Sequence, residues 1–122
     1  MAKIYEIFGT DAKAMTMALM KAADIRSAIP DGASVALKPN LVLSAPAEEG
    51  ATTHPDVVVG CIEYLRGNGI RDISVIESSW IGDRTDRAVQ ANGIGEVCRE
   101  YGVPFYDLKK DAARMEIGRA HV

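Results

Sequence analysis

Apolar positions along this chain recur with two alternating periods, a short one of strands and a longer one of helices. Lys3 to Phe8 is β-branched and aromatic and runs into Gly9, which predicts a strand. Thr10-Asp11 offers a cap for a helix reaching about Ser27, with Met15, Leu19, Ala22 and Ile25 on one face. Pro30-Asp31-Gly32 marks a turn. Ser34 to Leu37 predicts a short strand, ended near Lys38 because Pro39 has no N–H to give to a ladder.

A long loop follows from Asn40 to Thr53, rich in Ala, Pro, Glu and Gly. Pro55 suits the first turn of a helix, with Thr53 and Asp56 spaced as a capping box. Val58, Ile62 and Leu65 give that helix an apolar stripe, and Gly67-Asn68-Gly69 ends it. Ile73 to Ile76 predicts a third strand and Glu77 to Asp83 a loop. Helical stretches over about Arg84 to Ala91 and Ile94 to Tyr101 are broken by Asn92-Gly93, and Val103 to Asp107 predicts a fourth strand.

Four strands separated by helical segments predict an α/β fold. The expected architecture is three-layered, a mostly parallel sheet with helices on both faces. The chain has 122 residues, one domain's worth, with no internal repeat. After Lys109-Lys110-Asp111 the pattern dissolves. One back-translation of Ile117 to Val122 matches a common sequencing-adapter sequence whose next codon is a stop. Residues 1–116 are therefore expected to be the N-terminal part of an incomplete α/β domain, and 117–122 a non-native tail, with the remainder of the protein's own chain as a partner.

Composition narrows the classes. With 48% hydrophobic and 25% charged residues the chain is neither disordered nor fibrous. A net charge of −3 argues against a nucleic-acid partner, and no apolar run is long enough to suggest a membrane span. The first residues lack the apolar core of a signal peptide. Two cysteines, Cys61 and Cys98, stand far apart and read as reduced core residues, so a cytoplasmic location is expected.

Candidate chemistry gathers where the strands end. In open parallel sheets ligands bind outside the carboxyl ends of the strands. Lys38-Pro39-Asn40 leaves the second strand, Glu77-Ser78-Ser79 leaves the third, and Thr52-Thr53-His54 precedes a helix N-terminus, where free N–H groups favour an anion. Lys38, Asn40, Thr53, His54, Glu77 and Ser78 are the expected binding residues for a small anionic ligand, and no metal site is assigned. Each also has a plainer reading: Lys38 as an end-of-strand ion-pair partner, Thr53 as a helix cap, His54 as a first-turn residue, and Ser78 as a turn former. Glu77, an acid after an apolar strand, needs a partner in either case. Trp80 reads as a lid or as cover for the core edge. No nucleophile triad, dinucleotide fingerprint or P-loop occurs.

The stretch Val35 to Val42 with its K-P-N-L string, then Gly50-Ala51-Thr52-Thr53-His54-Pro55, then the strand ending in Glu77-Ser78, resembles the domain of unknown function 362 family. The resemblance runs over about residues 3 to 110. The family pattern often has Pro-Gly after the acid-Ser pair, where this chain has Ser79-Trp80. Members are typically longer, and many carry ferredoxin-like cysteine clusters for [4Fe–4S] centres outside this segment. The resemblance implies the N-terminal half of an iron–sulphur-associated protein of oxidoreductase or electron-transfer type. Any [4Fe–4S] centre would be held by the following part and not by this segment. A non-redox ligand-binding or metal-dependent α/β domain is the alternative, and the residues leave open whether the chain is an enzyme.

Overall fold

A computed structural model of the chain describes residues 2–41, 44–78 and 85–110. Its centre is a parallel sheet of three strands, β1 (Val35–Leu37), β2 (Ile73–Glu77) and β3 (Phe105–Asp107), in that spatial order. Leu37 pairs with Val75, Val75 with Phe105, and Glu77 with Asp107. Each crossover is helical: α2 (Pro55–Gly67) joins β1 to β2, and α3 (Thr85–Ala91) with α4 (Ile94–Tyr101) joins β2 to β3. Helix α1 (Ala12–Ala22) precedes β1. The α/β class and the parallel sheet are thus as the pattern predicts.

Helix α2 forms where Pro55 fixes the first turn and Val58, Ile62 and Leu65 repeat at helical spacing; all three are buried. Fully burying a side chain such as Ile62 contributes about 1.5–3 kcal/mol. The core lies on one side of the sheet. It joins Ile73 and Val75 of β2 to α2, to Ala88 and Val89 of α3, and to Ile94, Val97 and Cys98 of α4. Val35, Leu37 and Phe105 pack against it half-buried. On the other side of the strands, Ala36 and Tyr106 are exposed and Ser74 and Ile76 half-buried, outside this core. The helices that enter the core thus supply one layer among the described residues.

Helix α1 packs alongside α2 and runs parallel to it. Lys13 Nζ lies 2.6 Å from Glu63 Oε2, and that carboxylate raises the Lys13 pKa. The approach is closest at Gly60, where a Cβ would fall 2.8 Å from Thr16 Cβ and 2.9 Å from the Lys13 carbonyl oxygen. At the far end of α2, Arg66 donates to the Tyr101 carbonyl oxygen and stacks 5.8 Å from the Tyr101 ring, tying α2 to α4.

Three local expectations change. Lys3 to Phe8 is not a strand: Ile4 and Phe8 are 92% and 86% exposed, and among the described residues no neighbouring strand exchanges main-chain hydrogen bonds with the segment. Strand-forming side chains do not make a strand without such a neighbour. Helix α1 stops at Ala22 and not near Ser27, because Asp24 adopts the left-handed conformation (φ 50) before a short 3-10 helix over Ile25–Ala28. Its inward face is Lys13, Thr16, Met17 and Met20 rather than Met15, Leu19 and Ala22.

Candidate functional site

Alternation along β2 puts Glu77 on the same side as Ile73 and Val75, so its carboxylate is directed inward and the residue is 5% exposed. An ionised carboxyl there needs partners. Ser78 N–H donates to Oε1 at 2.8 Å, and Lys38 Nζ lies 3.0 Å from both carboxylate oxygens. The Lys38 side chain stays 60% exposed. The result is an ammonium group held at a fixed position on the carboxyl edge of the sheet. An ammonium has three donors, and among the described residues Glu77 is its hydrogen-bond partner.

The loop from Asn40 to Thr53 is closed at its base. Asn40 N–H donates to Thr53 Oγ1, and Thr53 N–H donates to the Asn40 carbonyl oxygen, both at 2.8 Å. Leu41 and Thr52 form an antiparallel bridge, and Asn40 Nδ2 donates to the Ala51 carbonyl oxygen at 3.2 Å. This brace corrects the expected capping box. With its hydroxyl committed to Asn40, Thr53 does not cap α2. His54 does, its Nδ1 accepting from Asp56 N–H at 3.1 Å. A neutral imidazole that accepts at Nδ1 carries its proton on Nε2. That nitrogen lies 3.8 Å from Glu48 Oε1.

The expected binding residues therefore form two groups joined by the buried Pro39. Lys38, Glu77 and Ser78 are one; Asn40, Thr53 and His54 are the other. Among the described residues no hydrogen bond or ion pair links the two. Ser79, Trp80 and the tail from 117 onward lie outside the described residues.

Sequence reasoning missed part of this edge. Thr52, Thr85 and Asn92 are buried, as Glu77 is. Thr52 stood inside the G-A-T-T-H-P string as one hydroxyl of two, and Asn92 only as half of an Asn-Gly breaker. Nothing in the linear pattern marks either as buried.

A [4Fe–4S] centre does not fit this chain. Such a centre takes four thiolates, and the chain has two cysteines, on α2 and α4. Both are free, and burial raises both thiol pKa values, favouring the neutral form over the ligating thiolate. Among the described residues no group of three or more His, Cys, Asp or Glu side chains is placed to hold a metal ion. None of the described helices is long and apolar enough to cross a membrane.

Comparison with protein families matches residues 35–121, most of the chain, to the family described as Domain of unknown function (DUF362). Comparison with curated proteins and with solved structures gives no match.

Proposed function

The chain belongs to the DUF362 family, and from that premise we propose that it is the ligand-binding part of an iron–sulphur-associated protein of oxidoreductase or electron-transfer type. It takes a small anionic ligand or cofactor at the carboxyl edge of its sheet. The observation that carries the binding half of this reading is the Lys38–Glu77 pair. Glu77 is buried and held by Ser78 N–H, so it positions Lys38 rather than facing solvent itself. Lys38 remains exposed and offers a charge-assisted hydrogen bond, worth about 1.5–3 kcal/mol, to an incoming anion. The His54 Nε2–H adds a second donor on the neighbouring group.

Titration of the chain with inorganic phosphate and with acetate, followed by backbone amide shifts, tests the binding half. Lys38→Met should weaken the tighter anion roughly tenfold or more. Because that variant strips Glu77 of its counter-charge, Lys38→Met combined with Glu77→Gln serves as the folded control and should bind equally poorly. Wild-type affinity in both variants would sink the reading. The redox half is tested on the chain joined to the remainder of its protein, purified without oxygen. The visible absorption of a [4Fe–4S] centre is expected, and a colourless, iron-free protein would leave a non-redox ligand-binding domain.

A further inference from the structure

Deeply buried polar side chains are few among the described residues: Thr52, Glu77, Thr85 and Asn92. Glu77 has Lys38 and Ser78 as partners. Thr52 Oγ1 and Asn92 Nδ2 are buried with no hydrogen-bond partner. Polar atoms left in that condition are rare in folded proteins, and each calls for an explanation.

The segments that carry them touch each other at Gly93 and Pro55. Thr52 stands just ahead of His54 and Pro55, where α2 begins. Asn92 Oδ1 accepts from Ile94 N–H at 3.0 Å, which lays its carboxamide across the N-terminus of α4. Gly93, in the left-handed conformation at φ 85, packs against Pro55 at van der Waals distance, a Cβ there falling 3.6 Å from Pro55 Cγ. The N-termini of α2 and α4 therefore meet at the carboxyl edge, and each brings one unpartnered polar atom, Thr52 Oγ1 and Asn92 Nδ2. A hydroxyl and a carboxamide N–H are neutral donors, and both helix N-termini are positive ends.

We propose that Thr52 and Asn92 form a subsite at the junction of α2 and α4 that binds the oxygens of a small oxyanion. This deepens the reading of the carboxyl edge as an anion site and rests on it. The α2 amides contribute little, because Asp56 N–H is engaged by His54 Nδ1 and Val57 N–H by the His54 carbonyl oxygen. The two side chains do the holding. Asp56 and Glu96, in the first turns of α2 and α4, add negative charge nearby. A singly charged carboxylate is therefore favoured over a doubly charged phosphate.

Titration of the 122-residue chain with acetate and with inorganic phosphate tests the subsite by the amide shifts of Thr52, Asn92 and Ile94. Acetate should saturate these shifts at the lower concentration; tighter phosphate binding would overturn the charge assignment. Thr52→Val should weaken acetate roughly tenfold while leaving the thermal midpoint unchanged or raised, since it removes a polar atom that the fold does not satisfy. Asn92→Asp keeps the acceptor for Ile94 N–H but replaces the donor with a negative oxygen, and should abolish binding. Wild-type affinity in Thr52→Val, or a lowered midpoint, would overturn the subsite. Lys38→Met, which leaves both side chains in place, separates the two readings. Loss of binding there with none in Thr52→Val removes the subsite and keeps the edge. Amides unmoved by either anion remove both.

Discussion

Helices α1 and α2 lie side by side and parallel, yet Val58, Val59, Gly60, Ile62, Tyr64 and Leu65 of α2 are buried and no residue of α1 is. Both have apolar residues at helical spacing. The difference lies in what surrounds them. α2 is a crossover between two paired strands, flanked by α1 at Gly60 and by α4 through Arg66 and Tyr101. α1 has α2 on one flank, while the segment before it, Lys3 to Phe8, is not paired into the sheet. Periodicity determines which side chains share a stripe; the neighbouring elements determine how much of that stripe leaves water.

The sharpest way to break this comparison is to cut equal volumes from the two helices. Ile62→Ala should lower unfolding free energy by about 2–5 kcal/mol in denaturant titration, and Leu19→Ala, half-buried outside the core, by under about 1 kcal/mol. Similar losses would mean that α1 is as well supported as α2. Next in size is the contact itself. Gly60→Ala places a methyl against Thr16 and the Lys13 carbonyl oxygen and should cost about 1–3 kcal/mol, despite the better helix propensity of Ala. A neutral or stabilising result would show that α1 can move aside. Asp11→Ala removes the acceptor for Ala14 N–H and should cost about 1 kcal/mol, read as a lower thermal midpoint.

The smallest effect belongs to α4. Burial raises the Cys98 thiol above its ordinary 9.0. A raised acid favours the folded state while neutral, so its contribution is complete below about pH 9.0 and is lost as pH rises toward the folded value. The wild-type thermal midpoint should fall more steeply above that pH than that of Cys98→Ala. Parallel curves would show that the thiol titrates alike in both states.

What could be read from the sequence follows the same division. Helix α2 appears between its expected limits because Pro55 and the Gly67-Asn68-Gly69 run act locally. β2 extends one residue past its expected end because Glu77 pairs with Asp107. The proximity of Lys38 and Glu77 was legible from topology alone, since adjacent parallel strands end at the same edge. The transfer of the cap from Thr53 to His54 was not, because it depends on a partner at Asn40 across the loop. Nor were Thr52 and Asn92, whose burial comes from the meeting of two helices distant in the chain.

The reciprocal bonds between Asn40 and Thr53 have a consequence for how such a protein can change over time. They fix the two ends of the loop, while Leu41, Ala45 and Thr52 are buried within it, so it is the exposed stretch around Glu48 and Glu49 that can gain, lose or exchange residues without shifting β1 or the start of α2. Loop length carries only a shallow entropic penalty once its ends are fixed. New ligand preferences can thus arise by altering the rim while the scaffold stays untouched, and a foreign peptide inserted near Glu48 should be carried without loss of folding.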